Sequence, residues 1–256
     1  MGQNFLVEPE VVREIAEAAG VAAGDRIVEI GPGLGILTLE LLSRGCKVTG
    51  VELDDELASF LERDLQDETG FTLVRKDARH VDVQAIMGND SYRVVANLPY
   101  SVATVIIRHF LEAPNPPHQL TVMVQREVAE RMTASPPDMS LLGLATQFYT
   151  EAALDFIVQP GAFLPPPKVE SAVLTLAVRS SLPLTGQERD RMFELATMAF
   201  QRKRKTISNG LSQGLGRTKA EIETALTAAG VDPMQRPQTL GIDQWVQLTR
   251  AFPEHE

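Results

Sequence analysis

Cysteine is nearly absent from this sequence, with Cys46 the single example in 256 residues. That excludes an intramolecular disulfide and any metal site built on several cysteines. The four histidines, at positions 80, 109, 118 and 255, are scattered without ligand spacing, so no metal is expected. Long apolar runs are missing too: none approaches the roughly 20 residues that a membrane-spanning helix requires. The opening MGQNFLVEPE has neither the basic nor the apolar region of a secretory leader, and Leu6 stands where a myristoylation signal needs Ser or Thr. A cytoplasmic protein with no membrane partner is the expectation.

Positive charge is also in short supply. The net charge is −10, which argues at first against a nucleic-acid partner. Its distribution softens that reading. Residues 1–178 carry 13 Lys and Arg against 25 Asp and Glu, whereas residues 179–256 carry 11 against 9. Within the second segment Arg202, Lys203, Arg204 and Lys205 are contiguous. Local charge within about a Debye length, roughly 8–10 Å, decides contact with a polyanion, so composition leaves the question open.

What is present is a repeated alternation of strand and helix patterns. Residues 9–19 place Val12, Ile15, Ala16 and Ala19 at helical spacing behind Pro9. RIVEI (26–30) is a short apolar strand ending in a glycine-rich loop, followed by the helical 36–45. KVTGVEL (47–53) reads as a second strand and 54–65 as a helix with Asp54 or Asp55 at its N-cap. FTLVRKDA (71–78), YRVVAN (92–97) and TVMVQ (121–125) complete five strands, and strands alternating with helices mean βαβ units and a mostly parallel sheet. After about residue 150 the pattern changes. ALDFIVQP and SAVLTLAVR (171–179) are strand-like with only FLPPPKV between them, as in an antiparallel hairpin closing the sheet. Beyond Pro183 three helical stretches follow, at 187–203, 218–229 and 243–251. The domains predicted are therefore 1–180, α/β, and 181–256, small and all-helical.

Residues 29–35 read Glu-Ile-Gly-Pro-Gly-Leu-Gly between a strand and a helix. Glycine lets backbone approach a ligand and adopt positive φ, and the helix N-terminus beyond offers free N–H groups. Such turns serve NAD, FAD and ATP as well, and some only turn a corner. Two carboxylates sharpen the reading. Glu52 ends the second strand, where it can accept from both ribose hydroxyls of a nucleoside cofactor, and Asp77 ends the third, where it can accept from an adenine amino group. Each taken singly is equally a capping or solvated strand-end acid.

After the fourth strand comes Asn97-Leu98-Pro99-Tyr100. An exocyclic amine on a planar base is a poor nucleophile, because its lone pair is delocalised into the ring. Two acceptors at that amine, the Asn97 side-chain carbonyl and the Leu98 backbone carbonyl, favour pyramidalisation and stabilise the charge that develops. Pro99 stiffens the turn, and Tyr100 offers a flat face for stacking, worth about 1–3 kcal/mol per base. The bland alternative is a Pro-Tyr turn after a buried strand.

The set GQNFL (2–6), VEIGPGLG (28–35), VELD (51–54), KDA (76–78), NLPY (97–100), FLPPPKVESAV (163–173) and FQRKRKT (200–206) resembles the ribosomal RNA adenine N6-dimethyltransferases across nearly the whole chain. The resemblance is to the bacterial enzymes that dimethylate two adjacent adenosines in a hairpin loop near the 3′ end of 16S rRNA. It implies a Rossmann-like class I methyltransferase sheet, S-adenosyl-L-methionine as cofactor with S-adenosylhomocysteine as product, and a helical RNA- or ribosome-binding domain. It further implies that Asn4 and Leu6 close over the cofactor, that Gly31 and Gly33 approach it, and that Glu52 and Asp77 hold its ribose and adenine. Asn97 would touch both cofactor and target amine, and Phe163 would sandwich the flipped base against Tyr100. The partner implied is the small ribosomal subunit or its precursor, met by a monomer.

Three departures bear on RNA affinity. Met1 directly precedes Gly2, where relatives carry a basic extension. SPPDMSLLG (135–143) stands where they often have a lysine, and the overall acidity is unusual. Arg202, Lys203, Arg204 and Lys205 are either helix-end cations favoured by the dipole or a phosphate-contact site. Three other readings remain open: a large-subunit rRNA methyltransferase, which would share NLPY; a non-catalytic assembly factor that retains the fold; and a NAD-dependent oxidoreductase, which leaves NLPY unexplained.

Overall fold

A sheet covered on both faces needs strands that are apolar almost throughout, and five segments of the chain meet that requirement. The structure, a computed structural model, describes residues 4–202 and 204–253. The elements of its first unit are β1 (Phe5–Leu6), α1 (Pro9–Ala18), β2 (Arg26–Ile30), α2 (Ile36–Ser43), β3 (Lys47–Glu52), α3 (Asp55–Asp64), β4 (Phe71–Arg75), α4 (Val83–Met87), β5 (Arg93–Asn97), α5 (Ala103–Leu111) and β6 (Gln119–Gln125). After an excursion through α6 (Arg126–Thr133) and α7 (Leu141–Tyr149), the chain completes it with β7 (Thr150–Val158), β8 (Phe163–Leu164) and β9 (Ser171–Val178).

Seven strands form the sheet in the order β4-β3-β2-β5-β6-β9-β7. β4, β3, β2, β5 and β6 are parallel neighbours, and β9 runs antiparallel to β6 with Gln125 opposite Ser171. Val28, Val94, Val95, Ala96, Leu120, Val122 and Met123 have no exposed surface. The order reverses at β2, which lies between β3 and β5. Ile30 faces Val51 on one side and Ala96 on the other, so the carboxyl ends of β2, β3 and β5 finish at one level. Open α/β sheets bind ligands at such a switch point. The expected mostly parallel sheet is therefore what forms, with β9 antiparallel to β6 and β7 beside β9 at the edge, the two strands expected to close it.

Local chemistry sets the helix starts. Asp54 caps α3, its carboxylate accepting from the Glu56 and Leu57 amides at 3.0 and 3.1 Å, and Asp55 and Glu56 follow in the first turn. α2 has no side-chain cap: Gly35, at φ 77°, takes the N-cap position in the left-handed region, as only glycine does at no steric cost.

The second unit comprises Glu130–Thr150 together with the chain from Arg179 onward. Its later helices are α8 (Gly186–Phe200), α9 (Ile207–Leu215), α10 (Lys219–Ala228) and α11 (Ile242–Ala251). Trp245 is fully buried and stacks on Phe200 at 5.9 Å, while Phe193 packs edge-on against Phe148 at 5.4 Å and stacks on Tyr149 at 6.2 Å. This corrects the predicted division at 180/181. The break at Val178 lies close to it, but residues 130–150 join the helical unit, because α7 places Leu144 and Phe148 in that unit's core. A further correction concerns α8, which ends at Phe200 rather than 203, with α9 following where no helix was expected.

Candidate functional site

A cavity of about 710 Å³ opens at the carboxyl ends of β2, β3 and β5. Its walls include Asn4, Leu6, Gly31, Gly33, Glu52, Asp77 and all four residues of Asn97–Tyr100. Segments separated by most of the first unit's sequence therefore converge on one space.

The glycine loop makes one wall. Gly31, Gly33 and Gly35 have φ of 66°, 59° and 77°, values that a side-chain-bearing residue rarely adopts. The Gly33 amide donates to Glu52 Oε2 at 3.2 Å, and the Leu53 and Asp54 amides donate to Oε1 at 2.9 and 3.0 Å. Glu52 is 5% exposed. A carboxylate has about four acceptor positions, so three backbone donors fix this one and leave about one for a ligand hydroxyl.

Glu29 is a cavity residue whose role sequence reasoning did not assign. It lies on β2, 2% exposed, and accepts from the Thr38 hydroxyl at 2.6 Å. Burial pushes its carboxyl up to about 8; the Thr38 bond opposes the rise and the nearby Glu52 charge adds to it. The only advance signal was a carboxylate inside an otherwise apolar strand.

Asp77 lies two residues beyond the end of β4, not on it. Its carboxylate accepts from the Arg79 amide at 2.9 Å and from Arg79 Nε at 3.0 Å to both oxygens, and Arg79 Nη2 closes the pair. The guanidinium hydrogen bonds hold the Asp77 carboxyl down at about 2. Arg79 lines the cavity beside it, a cation that the motif reading passed over.

At the far wall Asn97 ends β5, and the Leu98 amide donates to the Met123 carbonyl at 3.1 Å, which prolongs the β5–β6 pairing by one residue. Leu98 is buried at 2% and Pro99 is exposed. Tyr100 is half-buried, with its hydroxyl 2.5 Å from that of Ser171 at the start of β9. Neutral acceptors and an aromatic face thus border the same space as Glu52.

The N-terminal segment covers the glycine loop by pairing elsewhere. β1 runs antiparallel to β8, Phe5 opposite Leu164 and Leu6 opposite Phe163, and the Val7 amide donates to the Ala162 carbonyl at 2.9 Å. The Phe5 ring lies over Gly33, where a Cβ would meet it at 3.3 Å. The same pairing sets which way Phe163 faces in this structure. Alternation along β8 turns Phe163 inward, 3% exposed in a core cluster with Leu6, Val158 and Ala162, and leaves Leu164 outward at 65%. Phe163 does not border the cavity, and Tyr100 faces no aromatic partner from it.

The cationic cluster lies in the second unit, in the turn between α8 and α9. Arg202 and Lys205 border a small cavity of about 340 Å³ with Asn209, Ser212 and Gln213. Arg204 is exposed and does not border it, and Lys203 lies outside the described residues. Among the described residues no group of three or more His, Cys, Asp or Glu is placed to hold a metal ion, and no helix is long and apolar enough to cross a membrane.

The profile of the ribosomal RNA adenine dimethylase family matches residues 1–252. The ribosomal RNA small subunit methyltransferase A of Moorella thermoacetica is 42% identical over 262 aligned residues, covering 98% of this chain and 91% of its own. The protein of the same name from Dehalococcoides mccartyi strain CBDB1 is 40% identical over 253 residues, covering 98% and 87%. Among solved structures, the 23S rRNA methyltransferase ErmE superposes with a TM-score of 0.77 at 28% identity, over 97% of this chain and 99% of that one. A dimethyladenosine transferase from Plasmodium falciparum gives 0.82 at 23% identity, over 95% of each, a likeness of fold.

Proposed function

The chain belongs to the ribosomal RNA adenine dimethylase family and is an rRNA adenine dimethyltransferase, and from that premise we propose that its target is the pair of adjacent adenosines in a hairpin loop near the 3′ end of 16S rRNA. The methyl donor in this reading is S-adenosyl-L-methionine, and the setting is small-subunit biogenesis in the cytoplasm. The small-subunit relatives at 40% and 42% identity favour this target over the large-subunit one of ErmE at 28%. One observation carries the chemistry: Asn97–Tyr100 at the end of β5 borders the same cavity as Glu52 and the glycine loop.

The residues present suit that donor. The remaining acceptor position of buried Glu52 fits a ribose hydroxyl, the positive-φ backbone of Gly31 and Gly33 admits close approach, and Asp77 fits an adenine amino group once Arg79 yields an oxygen. When bound, S-adenosyl-L-methionine supplies an electrophilic methyl group on a sulfonium. The Asn97 side-chain carbonyl and the Leu98 carbonyl would accept from the target amine, hold its lone pair toward the methyl and offset the charge that develops on nitrogen. Tyr100 would support the flipped base by stacking, without Phe163 in its present position. An amine already bearing one methyl keeps one N–H, so in the second transfer one of the two acceptors would hold it. Arg202, Arg204 and Lys205, with Lys203 beside them in sequence, would contact RNA phosphates from the second unit.

Transfer of labelled methyl groups to immature small subunits, set against naked large-subunit RNA, tests the target. Label confined to the small subunit is expected; label in the large-subunit RNA, or none at all, overturns the reading. Asn97→Ala is expected to abolish transfer while the circular dichroism spectrum stays unchanged.

A further inference from the structure

Stacking explains the ring of Tyr100 but not its hydroxyl, since a phenylalanine would present the same face to a base. The hydroxyl has a partner 71 residues away: Ser171 Oγ lies 2.5 Å from it. Ser171 is fully buried and is the first residue of β9, opposite Gln125 of β6. Its position is held independently of Tyr100. The adjoining Glu170 carbonyl accepts from the Arg126 amide at 3.0 Å, and the Glu170 carboxylate accepts from Arg126 Nη1 at 2.8 Å and Gln159 Nε2 at 2.7 Å. Tyr100, by contrast, lies in the turn beyond β5, where no strand partner restrains it. Two torsions set the orientation of a tyrosine ring. The phenolic oxygen lies on the axis of the second, so a hydrogen bond there fixes the direction of the ring's long axis, and the preference of the O–H for the ring plane favours one rotation about it.

We propose that Ser171 is a positioning residue, which anchors the far end of the Tyr100 ring so that the ring is held at the cavity wall ready for the target base. The inference rests on the function proposed above. It assigns a role to the serine of KVESAV, a motif that otherwise serves only to begin a strand. Preorganisation of this kind matters because a side chain free to swing must be ordered at each binding event, and that cost falls on the RNA and not on the methyl donor.

A double-mutant cycle on the full-length protein tests it, with immature small subunits as substrate and S-adenosyl-L-methionine as donor. Ser171→Ala and Tyr100→Phe are each expected to lower kcat/KM for the subunit about threefold to tenfold, the value of one hydrogen bond. The double variant is expected to be no worse than either single one. Affinity for S-adenosylhomocysteine, measured by titration calorimetry, is expected to match wild type in all three. Losses that multiply in the double variant overturn the proposal, because Ser171 would then act elsewhere. So does a Ser171→Ala protein with wild-type kcat/KM, or one that loses cofactor affinity in proportion to its turnover. Should Ser171→Ala fail to fold, Tyr100→Phe with undiminished kcat/KM is enough to overturn it. A wild-type protein inactive on small subunits sinks the parent function and this inference together, whereas an active wild type with an indifferent Ser171 sinks this inference alone.

Discussion

Replacement of Glu29 by glutamine is expected to stabilise the protein, and to do so more as pH rises. Glu29 is 2% exposed, accepts one hydrogen bond from Thr38, and has its carboxyl raised from the ordinary value near 4.5 to about 8. Between those two values the folded chain binds a proton at this position that the unfolded chain has already released. Stability therefore falls as pH rises through the window, by up to about 1.4 kcal/mol per pH unit, and the loss is complete only above the folded value. With a folded value of about 8, the cost of burying this group is about 1 kcal/mol at pH 5 and about 3 kcal/mol at pH 7. Glutamine keeps the acceptor for Thr38 and carries no charge. Its second N–H adds a penalty that is the same at every pH, so slope and not level is the discriminating quantity. Urea unfolding at intervals from pH 5 to pH 8 measures it directly. The difference between Glu29→Gln and wild type should grow by about 2 kcal/mol from pH 5 to pH 7. Parallel curves would refute the reasoning, since they would mean that Glu29 is ionised in the folded protein or that water reaches it.

Glu52→Gln leaves one oxygen to serve three backbone donors, so affinity for S-adenosylhomocysteine should drop on the order of tenfold or more by calorimetry. Gly50→Ala places a Cβ 2.9 Å from Pro32 Cγ and 3.0 Å from the Phe71 ring, and a loss of about 1–3 kcal/mol in urea unfolding is expected from overpacking. Arg79→Ala should release the Asp77 carboxyl from about 2 toward the ordinary aspartate range, read by NMR titration. Because the pair lowers the folded value, the stability it contributes is present above the ordinary value and is lost as pH falls toward 2; removing Arg79 should flatten that acid limb. Arg202→Ala with Lys205→Ala should weaken binding to small-subunit RNA and reduce the slope of log affinity against log salt by about 1–2. An unchanged slope would remove these two cations from the interface.

The sheet was legible because its physics is local. RIVEI, YRVVAN and TVMVQ had to be buried on both faces, and each begins or ends within a few residues of its expected place. The cavity's floor was legible for the same reason, since the glycine loop and Glu52 sit at strand ends that periodicity alone locates. What escaped depends on pairings between distant segments. The resemblance makes Phe163 a base-stacking aromatic, and only its pairing with Leu6 fixes which way that two-residue strand faces. Ser171 had no visible task until the sheet carried it to Tyr100. α9 was missed because ISNGLSQGL holds Ser, Asn and two glycines, all weak helix formers. Those glycines earn their place through packing: a Cβ on Gly210 would stand 3.2 Å from Ala199 Cα, and one on Gly214 2.7 Å from Met198 Sδ.

The interrupted course of the chain through its two units bears on the order in which they can be completed. Synthesis delivers Glu130–Thr150 before β7 and β9 of the first unit, and well before the helices from Arg179 onward. When Tyr149 is added, Phe193, the ring against which Phe148 and Tyr149 will rest, is still about 44 residues from being made. The nascent protein therefore carries an apolar helix without its cover until α8 has followed it. A fragment ended at 180 would keep that exposed helix permanently, so the methyl-transfer half cannot be had cleanly by truncation, and a soluble catalytic core would require residues 130–150 to be replaced by a short polar connection.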